Sequence, residues 1–303
     1  MKYLTLLKLR EKLKESIRHY FKTLNYTEVE TPIAVVSPGT EVYLEYFQTA
    51  WQDYKRHSHP LFLRSSPEIH MKQLLSKECD RIFQMEKCFR NTGELSDWHH
   101  PEFTLLEWYQ KSISYENFMK QTQDLLTYTL AAMKKEFPSL IKLELPETIS
   151  KVSVKEAFYE ILKIDLIDND IDLAAKAKEK GVISVNKTDD FETAFFKIML
   201  EKIEPEFKKI PAVILYDYPA SQAALSKIED GVAKRFEFYI NGIELSNAFQ
   251  EELNAEENKK RITATHNKRR ILGLKNPAID HEFLESLKSK SYLTCGNALG
   301  FDR

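Results

Sequence analysis

Glycine is scarce in this chain: there are 8 in 303 residues, and two of them, Gly296 and Gly300, fall in the closing stretch CGNALGFDR. Cysteine is scarcer still. Cys79, Cys88 and Cys295 show no paired spacing and no CxxC, which excludes a disulfide framework and a thiolate metal site and leaves ordinary thiols of a reducing compartment. No apolar run approaches the ~18 residues of a membrane helix. The opening MKYLTLLKLREKLKE is interrupted by Lys8 and Arg10 and lacks a small-residue cleavage site, so it is not a secretory leader, and a cytoplasmic location is expected. Nor is there a positive excess: 44 Lys and Arg stand against 46 Asp and Glu, for a net charge of -2. That balance argues against broad nucleic-acid binding, though not against a local patch. With 43% hydrophobic and 30% charged residues the chain can bury a sizeable core.

Leu9, Leu13, Ile17, Phe21 and Leu24 recur at helical spacing and predict a helix over about residues 5 to 24, ending near Asn25. YTEVETPIAVV reads as a strand punctuated by Pro32, WQDYKRHSHP as a polar loop, and LFLRSS as a short strand. Pro67 opens a helix, PEIHMKQLLSK. RIFQMEKCFRN and EFTLLEWYQ read as two strands joined by a polar loop, and SYENFMKQTQDLLTYTLAAMKKEF as a long amphipathic helix. Several short helical patterns fill 138 to 209, PAVILYDYP is an apolar strand, and basic and mixed helices cover about 254 to 272 and 279 to 289. Antiparallel strands separated by long helices predict an α+β fold, not a regular βαβ series.

KRFEFYINGIELSNAF holds Asn241-Gly242 between two strand-like runs, a type I′ hairpin signal. A two-residue turn pairs Tyr239 with Glu244 and Glu237 with Ser246, so Glu237 and Glu244 lie diagonally on one face. Two carboxylates that close are either solvated or bridged by a cation, and Mg2+ is a bridge that carboxylates and phosphates favour. Strict alternation puts Asn247, Phe249 and Glu251 on the opposite face; a bulge after Glu244 would re-aim them.

In FRNTGELSDWHHPEFTLLEWYQ, Arg90 ends one strand, while Phe103, Leu105, Glu107 and Tyr109 share a face of the next. Arg90 can fork onto a carboxylate or phosphate, or form a surface ion pair. Glu107 and Tyr109 can receive an ammonium. Glu68, in the first turn of its helix, suits either a ligand role or the helix dipole. His99 and His100 have no further ligand at helical spacing, which disfavours a histidine metal site.

Four of these stretches coincide in one resemblance. FRN followed by HHPEFTLLEWY resembles motif 2 of class II aminoacyl-tRNA synthetases, GNALGFDR resembles their motif 3, and VETP around Pro32 resembles motif 1, which forms the dimer interface in that class. GIELSNAFQEE is similar to the lysine-pocket strand of lysyl-tRNA synthetases, and YPASQAALS to a PASQA segment of the short lysyl-tRNA synthetase-like family that modifies elongation factor P. Ser66 and Ala298 stand where true lysyl enzymes usually have Ala and Gly, and the Ala takes space from the amino-acid pocket. The chain begins almost directly at the catalytic domain, with no room for an anticodon-binding barrel, and stops at Arg303, where the class continues into a helix. A single catalytic domain over 1–303 is therefore expected, cut short after motif 3.

The resemblance implies an ATP-dependent ligase that activates lysine or (R)-β-lysine as an adenylate and transfers it to a lysine side chain of elongation factor P, as a homodimer. Arg90 would bridge substrate carboxylate and α-phosphate, and Arg303 would hold the γ-phosphate end. Glu237 and Glu244 would carry Mg2+. Phe103 and Arg303 would sandwich the adenine, with Asn91, His99, His100, Leu245 and Gly300 beside the nucleotide. Gly296 and Gly300 would admit the backbone close to ATP. Glu68 would take the α-amine, and Ser66, Glu107, Tyr109, Asn247, Glu251 and Ala298 would line the remaining amino-acid pocket. Where the family usually reads His-Asn-Pro-Glu-Phe, His100 replaces the Asn; Thr92 stands in place of a Glu. Two alternatives remain open at this point: an enzyme charging tRNA, against which the acidic balance and missing barrel argue, and a non-catalytic paralogue that binds an amino acid or nucleotide.

Overall fold

The computed structural model describes residues 3–92, 98–288 and 292–303. The joining loop at 93–97 and the expected helix end at residue 289 lie outside the described residues. The first half of the chain holds helix α1 (Tyr3–Thr23), strands β1 (Thr27–Glu28), β2 (Ala34–Val35), β3 (Gln48–Gln52) and β4 (Ser58–Leu63), helix α2 (Glu68–Leu75), strands β5 (Arg81–Phe89) and β6 (Glu102–Lys111), and helix α3 (Tyr115–Glu136). There follow β7 (Ser150–Ser153), α4 (Val154–Leu162), α5 (Leu173–Glu179), α6 (Phe191–Ile198), a π-helical turn (Met199–Ile203) and α7 (Glu204–Phe207). The last part holds β8 (Ala212–Pro219), β9 (Ile228–Glu229), β10 (Val232–Ile240), β11 (Ile243–Gln250), α8 (Ala255–Ile271), α9 (His281–Leu287) and β12 (Thr294–Gly300). The architecture is α+β, as the sequence predicts, and no described helix is long and apolar enough to cross a membrane.

The chain divides into two compact units. One comprises Met1–Thr23 and Ser114–Gln250. Its strands run in the order β11-β10-β8-β7, antiparallel except for the parallel pair β7 and β8, with β9 added to β10. The short helices α4 to α7 bury Phe158 and Phe195, whose rings stack at 5.4 Å, against Val213, Leu215 and Tyr239 of the sheet. Helix α1 packs on α3 through Tyr20, whose hydroxyl donates to the Gln121 carbonyl at 3.1 Å. Asn25, the residue at which the sequence ends α1, takes φ 59°, a left-handed stop that Asn tolerates.

The other unit comprises Leu24–Ile113 and Glu251–Arg303. Its main strands run β1-β5-β6-β12, with β1 parallel to β5 and the rest antiparallel. Met71 and Leu75 of α2 bury against Ile82 of β5 and Tyr109 of β6, which fixes α2 over the face that carries Glu107 and Tyr109. Cys88 and Cys295 are buried, and no disulfide joins the three cysteines.

Two sequence expectations fail here. YTEVETPIAVV forms only the two-residue strands β1 and β2, since Pro32 lies between them and lacks the N–H a ladder needs. WQDYKRHSHP is not a loop but most of the β3–β4 hairpin, with Trp51 paired to His59 and their rings stacked at 4.9 Å. This hairpin is exposed, so it shows no apolar alternation. Its turn is held by the Asp53 carboxylate, which accepts from the Lys55 and His57 amides at 2.8 and 2.9 Å.

The Asn241-Gly242 turn is present as read, with φ of 50° and 76°. A methyl on Gly242 would collide with Lys208, whose amide nitrogen lies 3.0 Å from the Cβ position and whose Cγ lies closer still. Gly242→Ala should therefore lower stability by about 1–3 kcal/mol, read as a lower urea midpoint at unchanged slope.

Candidate active site

The second unit brings Glu68, Glu107, Tyr109 and Glu251 together as expected, and adds a residue the sequence reading passed over. Pro67 starts α2, and the Ser66 hydroxyl accepts from the Glu68 amide at 3.4 Å, so Glu68 sits in the first turn. One turn later Lys72 carries its ammonium to 2.6 Å from Glu68 Oε1 and 2.5 Å from Glu251 Oε2. Its side chain is 5% exposed and that of Glu251 2%. The Glu251 backbone is fixed by its amide donating to the Thr294 carbonyl at 2.8 Å.

Glu107 and Tyr109 come from β6, and the Tyr109 hydroxyl donates to Glu107 Oε2 at 3.0 Å. Antiparallel pairing with β12 sets Gly296 opposite Tyr109, Ala298 opposite Glu107 and Gly300 opposite Leu105. Directly opposed residues share a face, so a strip of small residues lies beside the carboxylate. Gly296 does not free space for a nucleotide, as the sequence reading has it: a Cβ there would strike the Tyr109 ring and approach Glu251 Oε1 to 2.5 Å. The absent side chain is what lets Tyr109 and Glu251 close up.

Burial dominates the protonation of this cluster. It pushes the Glu107 carboxyl up to about 8, helped by the charge of Glu68 and opposed by Tyr109, Lys72 and Arg64. It pushes Glu251 up to about 7, with Lys72 pulling the other way. Burial also works against the charge on Lys72, but Glu251 and Glu68 outweigh it and raise its pKa. Burial and the three carboxylates hold Tyr109 protonated. Oε1 of Glu107 has no hydrogen-bond partner among the described residues, so the cluster has capacity for a further donor.

Motif-like residues of the same unit stand near one end of β6 and β12. Arg90 is exposed, its amide donates to the Pro101 carbonyl at 2.9 Å, and its guanidinium lies 5.2 Å from the centre of the Phe103 ring. Phe103 is thus met by Arg90, whereas Arg303 turns to His99, its Nη2 2.8 Å from Nε2. The adjacent Asp302 accepts from the Thr104 amide at 2.5 Å, which pins the chain after β12 to β6. Asn91 bonds to Glu45 through its amide at 3.1 Å, and His100 is exposed.

The remaining expected residues belong to the first unit. Tyr239 pairs with Glu244, as read, but Phe238 pairs with Ser246 and Glu237 with Asn247, so Leu245 is an extra residue in β11. This bulge turns Asn247 and Phe249 onto the face of Glu237 and Tyr239, reversing strict alternation. On that face Arg235, unnoticed in the sequence, binds Glu237 Oε1 at 2.5 Å, Asn247 Oδ1 at 3.2 Å and the Gln222 carbonyl of the PASQA segment at 3.1 Å. Its guanidinium stacks 4.3 Å from the Tyr218 ring centre. The other oxygen of Glu237 accepts from Tyr239 at 2.6 Å. Both oxygens of Glu237, one of the two carboxylates expected to carry Mg2+, thus accept hydrogen bonds from the protein, and Glu244 lies opposite Tyr239 on the same face. No group of three His, Cys, Asp or Glu able to hold a metal occurs among the described residues.

The fold, the motif-bearing strands and the cluster of carboxylates define a class II synthetase-type catalytic chain. The sequence matches the family "tRNA synthetases class II (D, K and N)" over residues 1–303, and the chain belongs to that family. Among curated relatives it is 36% identical over 299 residues to the elongation factor P–(R)-β-lysine ligase of Histophilus somni (strain 2336), covering 97% of this chain and 88% of that protein. It is 34% identical over 305 residues to the protein of that name from Vibrio atlanticus (strain LGP32), covering 98% and 89%.

The protonation of the cluster has a stability consequence. Glu107 and Glu251 have folded pKa values above the ordinary 4.5, so the native state holds protons that the unfolded chain releases. Their contribution is complete below about 4.5 and is lost as pH rises through about 7 to 8. The melting temperature should fall between pH 6 and 9 by an amount that shrinks in Glu107→Gln; a fall of equal size in the variant would remove Glu107 as the cause.

Proposed function

We propose that this class II ligase uses ATP to activate lysine or (R)-β-lysine as an aminoacyl-adenylate and transfers the aminoacyl group to a lysine side chain of elongation factor P. The observation that carries this reading is the buried cluster of Glu68, Glu107 and Glu251 with the Tyr109 hydroxyl, a setting for cationic amines and not for neutral side chains. A pocket of buried carboxylates rejects analogues lacking the amine, because its own groups would stay unpaired. The names of the relatives supply the acceptor and the β-isomer.

The chemistry asks for positioning and charge stabilisation, not for a protein nucleophile. A substrate carboxylate oxygen attacks the α-phosphorus and pyrophosphate leaves. The acceptor amine then attacks the activated carbonyl, loses a proton and expels AMP. In this reading Arg90, exposed at the end of β5, forks onto the substrate carboxylate and α-phosphate. Phe103 offers its ring to adenine, with Asn91, His99, His100 and Gly300 nearby on the same unit. Arg303 exchanges His99 for the terminal phosphate. Glu68 takes the amine next to the carboxylate, Glu107, Tyr109 and Glu251 take the distal one, and Ala298 narrows the space beside Glu107. Asn247, Glu244 and Leu245, expected at the substrate and nucleotide, belong to the first unit. Glu237 and Glu244 would carry Mg2+ to the phosphates, with Glu237 oriented by its hydrogen bonds from Arg235 and Tyr239. The working form in this reading is a homodimer formed through the segment around Pro32.

The test is to incubate the protein with ATP and either lysine isomer, offering elongation factor P or tRNA, and to follow the mass of each acceptor. A gain of one lysyl unit on elongation factor P is expected. Labelled tRNA beside unmodified elongation factor P would overturn the acceptor, and no lysine-dependent pyrophosphate release would overturn the activity. Glu251→Gln should raise the KM for lysine about tenfold or more while the KM for ATP holds within about twofold.

A further inference from the structure

Lys72 lies among the carboxylates of the cluster. It is buried, it sits on the framework helix α2, and its ammonium touches the two carboxylates that flank the cluster, one from its own helix and one from the segment after β11. Glu68 comes from α2, Glu107 and Tyr109 from β6, and Arg64, fully buried, from the residue after β4. Arg64 directs Nη1 to the Thr31 carbonyl at 2.9 Å and Nε to the Lys87 carbonyl at 3.2 Å, and it acts on Glu107 through its charge without bonding the carboxylates. Lys72 is thus the cation seated inside the ring of carboxylates.

The charges then decide what the pocket accepts. Three carboxylates and one ammonium leave two negative charges when all are ionised. A lysine-type substrate brings two ammonium groups and meets that requirement, with its own carboxylate directed to Arg90. Without Lys72 the cluster would hold three negative charges out of water, and burial would force protons onto it. Each proton neutralises a carboxylate that the substrate amine needs.

We propose that Lys72 is a positioning and specificity-determining residue of the amine cluster: by bridging Glu68 and Glu251 it fixes their spacing and offsets part of their charge, so that the site receives a diamine. This rests on the proposed function for the identity of the diamine, but not for the role of the lysine. Lys72 opposes the burial that raises Glu107 and Glu251, which agrees with it.

The test follows lysine-dependent pyrophosphate exchange, and lysine binding by calorimetry, against pH. In Lys72→Met the acid limb for lysine should move up by about one pH unit or more, so that KM at neutral pH rises about tenfold, with ATP binding unchanged. Lys72→Ala should respond likewise and recover the original limb when ethylammonium is added. Lys72→Arg, which keeps the cation, should keep the limb whatever it loses in rate, and serves also if the neutral variants fail to fold. An unmoved limb in folded Lys72→Met, or a limb displaced equally in Lys72→Arg, would overturn the proposal. Absent exchange in the unaltered protein, with lysine binding that still shifts in Lys72→Met, would sink the proposed reaction and leave this role standing.

Discussion

A carboxylate taken out of water must be neutralised by a proton or met by a cation, and the second unit is built around that constraint. Isolated burial of one such charge costs several kcal/mol even after relaxation, and this pocket buries Glu107 and Glu251 almost completely, with Glu68 largely covered. Lys72 answers part of the demand from within the protein. Burial answers another part by raising Glu107 and Glu251 toward neutrality. What is left is a site whose charge is incomplete, which is the property a binding site for an ammonium requires.

The scarce small residues are placed where this arrangement needs them. Gly296 admits the Tyr109 ring and Glu251 together, which a methyl would prevent. The register of β6 against β12 then carries the small-residue strip past Glu107. In the first unit the extra residue Leu245 has an equivalent effect, because it turns Asn247 toward Arg235 and Glu237. Each unit therefore positions its polar groups by a defect in regular side-chain packing: a missing Cβ in one, a bulge in the other.

The sequence made much of this legible, and the limits have physical causes. Alternation along EFTLLEWYQ puts Glu107 and Tyr109 on one face with no further information, and Asn241-Gly242 fixes the first pairs of its hairpin. Beyond Glu244 the register depends on a bulge, which local preference cannot place. Lys72 follows Glu68 at helical spacing, but the same spacing is common on exposed helix faces, so only its burial marks it out. Arg235, Glu237 and Tyr239 alternate on β10; that the arginine bonds the glutamate depends on side chains converging from β8 and β11. The hairpin of β3 and β4 was hidden because its residues face water, where no apolar period is imposed.

Stability and ligand preference in the pocket are two expressions of one imbalance. Glu107 keeps an oxygen without a hydrogen-bond donor among the described residues, inside a cluster where three carboxylates share one lysine. Such a site would be more stable with an apolar filling, since replacing buried ions by well-packed hydrophobic groups is often neutral or favourable. The retained charge is therefore better explained by recognition than by folding. A neutral ligand would bury the carboxylates further without satisfying them, whereas an ammonium supplies both the charge and the donors. On the proposed reading, the framework that holds Lys72 and Glu251 in place favours a cationic ligand by keeping the cluster short of positive charge.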